Sequence, residues 1–411
     1  MATIPENSIE ARRQAMQLAI DARKSPAERN RLGQFATPYD LSVEITRYVK
    51  SIAADTLPLL RFADPAIGTG SFYSAALTVF GSESIQHALG VELDPNFCAA
   101  ARDLWTAAGL TVVQGDFTAI VASAHCPAAP NLILTNPPYV RHHHLDREQK
   151  QRLQSLTYRM AGVKVNGLAG LYVYFIVLAT AWMQHGGYAA WLVPSECMDV
   201  NYGRSLKHYL TEYLMLIRVH RFDPEDVQFA DALVSSVMLV FRKVLPPPDH
   251  RVDFTFGGTI MSPQARDCIP LEQLRHARKW TVYPGHPRND RHVSSVSNAP
   301  TLGTLFRIQR GIATGNNKFF ILERREAERR ALPPRYLRPI LPGPRLLKTT
   351  VIDADHDGYP LIEPQLCLID CDLPEAIMRL QHPTLWEYLQ TADALGIKDG
   401  CLVRQRRPWY R

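Results

Sequence analysis

Between Arg61 and Lys243 the chain keeps repeating one pattern: a short apolar run, a turn of glycine, proline or acid, then a segment with helical spacing. "LRFADPAIGTGSFYSAALTVF" reads as strand, glycine turn and helix, and "HALGVELDPNFCAAARDLW" repeats it. "LTVVQGDF" and "NLILTNPPY" supply two more strands, and "GGYAAWLVPSECM" and "ALVSSVMLVFRK" flank the helical "NYGRSLKHYLTEYL". Strands joined through helices cannot pair as hairpins, so the pattern predicts an α/β fold of the Rossmann type, a parallel sheet with helices on both faces.

A chain of 411 residues exceeds what one core usually fills, and two domains are expected. The run Pro246, Pro247, Pro248 in "VLPPPDHR" is a stiff connector, which places the boundary there. The expected domains are 1–245, opened by a helical segment over 7–30 and a helix starting near Pro38 and Asp40, and 246–411. In the second, "TLFRIQRGIATGNNKFFIL" reads as strand, Gly-Asn turn, strand, within a mixed α/β or mostly β domain. The ending "RRPWYR" has no cap, which suggests that this domain is incomplete at its C-terminus.

Composition narrows the function classes. With 46% hydrophobic and 21% charged residues the chain is globular rather than disordered. Its first residues lack the apolar run of a signal peptide, so a cytoplasmic protein is expected. The apolar stretch Leu171 to Met183 is shorter than the roughly 20 residues of a membrane span and reads as a buried helix. Seven scattered cysteines form neither a disulfide framework nor a zinc pattern; Cys367 and Cys371 are an isolated pair, and reduced thiols are expected. The net charge of +6 permits a polyanionic partner without requiring one.

In an open parallel sheet, ligands bind beyond the carboxyl ends of the strands. Four groups occupy such ends. Asp64-Pro65-Ala66-Ile67-Gly68-Thr69-Gly70 is a turn whose glycines allow close approach of a cofactor. Glu92, 22 residues beyond Gly70, is placed to accept from ribose hydroxyls, while Asp94 before Pro95 reads as a helix cap. Asp116 offers an acceptor for the exocyclic amine of an adenine ring, and Phe117 an apolar face for that ring. Last, Asn136-Pro137-Pro138-Tyr139 holds two acceptors, the Asn136 amide oxygen and the Pro137 carbonyl, beside a flat Tyr139 ring able to stack on a planar substrate. An amino group conjugated to an aromatic ring needs such acceptors, because its lone pair is delocalised and must be drawn toward an electrophile. The run His142, His143, His144 is poorly spaced for converging metal ligands and reads as a loop near a nucleic acid; no metal is expected.

In the order "GQFATP", "FADPAIGTGSF", "GVELD", "QGDF", "TNPPY", "GLYVYF", "GGYAAWLVPS", "FADALVSSVMLVF" and "GIATGNNKFF", the chain resembles the gamma-class N6-adenine DNA methyltransferases of bacterial restriction-modification systems, over nearly its whole length. The resemblance implies S-adenosyl-L-methionine as cofactor and double-stranded DNA as partner, with a restriction endonuclease as a possible separate one. It implies that Thr37 and Pro38 hold the methionine end, that Asp64, Ala66, Gly68 and Gly70 shape the pocket, and that Glu92 with Leu93 flanks the ribose. Asp116 and Phe117 would hold the adenine, and Asn136, Pro137, Pro138 and Tyr139 the target amine. Tyr139 and Phe229, in "QFADALVSSV", would cover the two faces of a flipped base, and the second domain would recognise the DNA sequence. One departure stands out: relatives often carry an acid immediately before the Leu-Tyr of the "GLYVYF" element, where this chain has Gly170. The same geometry serves N4-cytosine methylation and, in other families, RNA or protein-glutamine methylation; a DNA-specificity module with a degenerate core is the reading from another class.

Overall fold

The apolar runs become the strands of a single nine-stranded sheet. The computed structural model describes residues 8–53, 56–57, 59–121, 124–125, 127–223, 235–285, 302–307, 311 and 313–411. They belong to two compact units, Met1–Ser295 and Val296–Arg411. In the first unit the order is α1 (Ile9–Asp21), α2 (Pro26–Leu32), α3 (Tyr39–Ala53), β1 (Leu60–Asp64), α4 (Ser71–Phe80), β2 (Ile85–Glu92), α5 (Pro95–Trp105), β3 (Leu110–Gln114) and β4 (Leu132–Thr135). Then come α6 (Arg147–Ala161), α7 (Leu171–Trp182), β5 (Tyr188–Pro194), α8 (Gly203–Glu212), β6 (Met215–Arg221), β7 (Ser236–Arg242), β8 (Arg251–Gly258), β9 (Pro263–Pro270) and α9 (Leu271–His276).

The strand order is β3-β2-β1-β4-β5-β7-β6-β8-β9. Strands β3, β2, β1, β4 and β5 pair in parallel, and β7 lies antiparallel between β5 and β6. The order reverses between β1 and β4, where the chain winds outward in both directions. Alternate side chains separate the two faces, as the pleat dictates. Ile133, Ala189, Trp191 and Val193 pack with Val173 and Ile176 of α7 and Leu206 of α8. Their neighbours Leu132, Leu134, Ala190 and Leu192 pack with Ile45 and Val49 of α3 and Phe72 of α4. Each fully buried side chain of this kind contributes roughly 1.5 to 3 kcal/mol. The apolar stretch expected as a buried helix is α7, whose residues are almost all buried.

One expectation fails. The sheet does not end before the triple proline: β8 follows it, pairs in parallel with β6, and carries β9 as a final antiparallel strand. Val252 and Phe254 of β8 join the apolar core of the first unit. The boundary placed at 245 and 246 therefore falls inside that unit. A stiff extended connector is as good a link between two strands of one sheet as between two domains.

The second unit contains α10 (Leu302–Leu305), α11 (Asn317–Phe320), β10 (Ile321–Glu323), α12 (Arg324–Arg329), β11 (Leu337–Ile340), β12 (Leu366–Ile369), α13 (Glu375–Gln381) and α14 (Pro383–Ala394). Its three strands form an antiparallel sheet ordered β10-β12-β11, packed around Phe319, Phe320, Cys367 and Leu389. Of the segment read as strand, turn, strand, residues 308–310 and 312 lie outside the described residues. Among the described ones, the Asn316 side chain accepts from the Phe319 backbone N–H and opens a helical turn, and 321–323 is strand. The six cysteines among the described residues are free thiols.

Candidate active site

A cavity of about 510 Å³ opens at the carboxyl ends of β1, β2, β3 and β4, beside the point where strand order reverses. Thr37, Asp64, Ala66, Gly68, Glu92, Leu93, Asp116, Phe117, Asn136 and Pro138 all line it. Residues up to 101 positions apart in the chain are thus brought to one place by four strand ends and the segment before α3. Pro38, Gly70, Pro137 and Tyr139 do not line it, and Phe229 lies outside the described residues. No helix among the described residues is long and apolar enough to cross a membrane.

The β1 turn is tied on every side. Asp64, 2% exposed, accepts from the Thr135 hydroxyl at 2.6 Å and the Ala66 N–H at 2.9 Å. Burial pushes its carboxyl up to about 7, against the pull of those two hydrogen bonds. Glu92 accepts from the Gly68 N–H at 2.9 Å and the Asp94 N–H at 2.8 Å, so the expected ribose acceptor also clamps the turn; burial raises its pKa. Asp94 caps α5 as expected, accepting from the Asn96 N–H.

The two glycines have different reasons. Gly68 has φ of 55°, and a Cβ there would meet nothing within 4 Å among the described residues. At Gly70, with φ of 90°, a Cβ would lie 2.3 Å from Nε1 of Trp105, whose indole donates to the Thr69 carbonyl at 2.8 Å. Gly70 therefore shapes the pocket through the packing behind the turn and does not face it.

On the far side, the Asp116 side chain caps the turn Phe117–Ala119, accepting from the Thr118 N–H, and pairs with Arg152 at 3.1 Å. Phe117 is buried against Phe175 and Trp182, with ring centroids 4.8 and 4.6 Å away. A hydrogen-bonding edge and an apolar wall thus meet where a planar base would need both.

The β4 loop is tied on its donor side only. Asn136 Nδ2 donates to the Phe35 carbonyl at 3.0 Å and Thr37 Oγ1 at 3.1 Å, which joins the "TNPPY" and "GQFATP" elements directly. Asn136 Oδ1 is buried and receives no hydrogen bond from the described residues. The Pro137 carbonyl likewise takes none from the described residues. Tyr139 departs from expectation: its hydroxyl donates to the Leu192 carbonyl at 3.1 Å, its N–H donates to the Gly33 carbonyl, and its ring is 7% exposed, 5.4 Å from Phe35. The ring expected to stack on a substrate is packed into the core and anchors the loop. Its phenol is pushed well above its ordinary value by burial.

At the departure noted in the sequence, a Cβ on Gly170 would lie 2.9 Å from Cε1 of Tyr172 and 3.3 Å from the Val140 carbonyl, so an acid there would have to displace the Tyr172 ring. His142–His144 form one helical turn, with His144 at the cavity wall. Sequence reasoning missed the contribution of α1: Arg13, Gln17 and Asp21 also line the cavity. Arg13 and Gln17 meet the β1 turn at a residue more than 50 positions away, through the bonds from Arg13 Nη1 to Thr69 Oγ1 and from Thr69 Oγ1 to Gln17 Oε1. Only a mixed-charge helix could be read locally.

The model of the Eco57I restriction-modification methylase family matches residues 131–228, from β4 through β6, and that of the type II methyltransferase M.Eco57I C-terminal domain matches residues 277–411. In these two segments the chain is similar to the Eco57I restriction-modification methylases. Two full-length proteins are similar to the chain as well. Type II methyltransferase M.XamI of Xanthomonas campestris pv. amaranthicola is 27% identical over 85% of this chain and 64% of its own length. Type II methyltransferase M.AccI of Acinetobacter calcoaceticus is 21% identical over 99% of this chain and 72% of its own. The chain thus spans somewhat less than two thirds of the Xanthomonas relative. Among solved structures, the type IIL restriction-modification enzyme MmeI in complex with DNA aligns with a TM-score of 0.55 at 12% identity, over 91% of this chain and 56% of that one. The type IIG restriction endonuclease BpuSI aligns at 0.52 and 15%, over 91% and 47%. At these identities the likeness concerns the fold alone.

Proposed function

We propose that this chain is an S-adenosylmethionine-dependent DNA methyltransferase acting on the N6 amino group of adenine, in a restriction-modification setting. The observation that carries the reading is Asn136: its amide nitrogen is fixed by Phe35 and Thr37, while its buried oxygen stands without a donor among the described residues. A buried unmet acceptor costs about 1 to 3 kcal/mol, and a site that keeps one has a use for it. The cavity suits the cofactor. Its volume is that of a small-molecule site, Glu92 and Asp116 offer acceptors, and Phe117 and Leu93 offer apolar surface.

When bound there, S-adenosylmethionine supplies a methyl group on a sulfonium centre. Asn136 Oδ1 and the Pro137 carbonyl accept the two N–H bonds of the target amine and hold its nitrogen in line for attack. As nitrogen loses its lone pair to the new bond, its protons become more acidic and both hydrogen bonds strengthen. These acceptors therefore favour the transition state over the ground state. Neither is basic enough to keep a proton, which leaves to water. An adenine in duplex DNA reaches the site only by leaving the stack, at a cost of a few kcal/mol. The stacking face expected of Tyr139 plays no part in this account, because the ring is buried.

The second unit is the proposed seat of DNA sequence recognition, and a separate endonuclease the proposed companion of the enzyme. Incubation with labelled S-adenosylmethionine and separate DNA, RNA and protein pools tests the reading. Label is expected in DNA alone; transfer to RNA or protein, or to none of the three, would contradict it.

A further inference from the structure

A cofactor with an amino-acid end brings a carboxylate into the cavity, and a carboxylate leaving water needs a cation or several N–H donors. The strand ends supply the opposite sign, since Asp64, Glu92 and Asp116 are all acids. Of the arginines that line the cavity, Arg31 is exposed and Arg13, on α1, is 3% exposed.

Arg13 is held side-on. Its Nε lies 3.0 and 2.9 Å from the two carboxylate oxygens of Glu10, and Nη2 donates to Glu10 Oε1 at 2.6 Å. Nη1 donates to Thr69 Oγ1 at 3.0 Å. Glu10 is itself buried and also accepts from the Ser74 hydroxyl at 2.6 Å. A guanidinium carries five N–H donors, one on Nε and two on each Nη. Those contacts use one N–H on each Nη, so one on each remains without a partner among the described residues. Two N–H donors on one buried guanidinium are thus left for an anionic group such as a carboxylate.

The surroundings agree. Thr69 follows Gly68, whose N–H is bound to Glu92, and Ser71 donates to the Thr37 carbonyl at 3.0 Å. Arg13 is thus fixed to the turn between the acid proposed for the ribose and the segment proposed for the methionine end. Building on the cofactor reading above, we propose that Arg13 binds the amino-acid carboxylate of S-adenosylmethionine, with Glu10 fixing the guanidinium. The N-terminal helix α1 then becomes part of the cofactor site, and the site distinguishes ligands that carry the amino-acid end from those that lack it.

Calorimetry on the full chain with two ligands tests this. S-adenosylhomocysteine keeps the carboxylate, and 5′-methylthioadenosine lacks the whole amino-acid end. Arg13→Met leaves Glu10 buried without its partner, a change that can unfold a protein, so the double variant Glu10→Gln/Arg13→Met is measured beside it. In a folded variant, affinity for S-adenosylhomocysteine is expected to fall roughly 10- to 100-fold, the scale of a charge-assisted bidentate contact, and that for 5′-methylthioadenosine to change less than threefold. Parallel losses for both ligands would make Arg13 a structural support of the turn, and unchanged affinity for both would remove it from the site; either overturns the proposal. If the unmodified chain bound neither ligand, the cofactor reading itself would fail, an outcome separate from these.

Discussion

Two loops leave the sheet side by side at the point where strand order reverses, and they are finished differently. In the β1 loop, Asp64 is bonded to Thr135 and Ala66, Gly68 to Glu92, and the Thr69 hydroxyl to Arg13 and Gln17. In the β4 loop Asn136 Nδ2 is engaged with Phe35 and Thr37 and the Tyr139 hydroxyl with Leu192, while two acceptors receive no donor among the described residues. A closed network holds shape, and an open acceptor holds a position for something that arrives. On the proposed function, the β1 loop is the mould for the cofactor and the β4 loop the group that acts on the substrate.

The largest expected effect tests that division at the open acceptor. Asn136→Ala should lower methyl transfer by about two to three orders of magnitude, the loss typical when one transition-state hydrogen bond is removed, with cofactor affinity kept within a few-fold. Single-turnover rates and calorimetry on the same preparation separate the two quantities. Equal turnover by variant and parent would erase the distinction between the loops.

A smaller effect is expected on the closed side, and on stability. Gly70→Ala puts a Cβ 2.3 Å from the Trp105 indole at positive φ, and should cost about 2 to 3 kcal/mol, seen as a lower Tm. Gly68→Ala meets no neighbour within 4 Å and should cost about 1 kcal/mol from the backbone alone. Equal Tm losses would show that the two glycines answer to the same constraint.

The mildest prediction concerns Asp64, whose carboxyl is raised by burial to about 7 from 3.8. Between these values the unfolded chain is ionised and the folded one holds the proton, so this group's contribution to stability declines as pH rises through that window. Asp64→Asn keeps an acceptor for Thr135 and Ala66 without the ionisation. Its Tm should fall less than the parent's between about pH 5 and about pH 8. A parallel pH dependence would place the ionisation elsewhere.

The strands, the glycine turn and the buried α7 were legible because each is fixed by local pattern: period-two apolar runs, positive-φ glycines, an unbroken apolar helix. The strand-end groups were legible because parallel sheets put ligands at one edge. What escaped was set at long range. β8 follows a proline run that looks like a linker, and only its pairing with β6 reveals it as sheet. The burial of Tyr139 depends on the Leu192 carbonyl, 53 residues on, and Arg13 becomes a cavity residue only because Thr69 is brought to it. In each case a partner distant in sequence decided what a local pattern left open.

The most direct test is to identify the methylated base. Duplex DNA carrying a recognised site is incubated with the full chain and S-adenosylmethionine, digested to nucleosides, and the products are separated and weighed by mass spectrometry. The account predicts N6-methyladenine at a defined position, abolished in Asn136→Ala. N4-methylcytosine as the product would contradict the assignment of adenine, and adenine methylation that persists in Asn136→Ala would contradict the role given to the open acceptor.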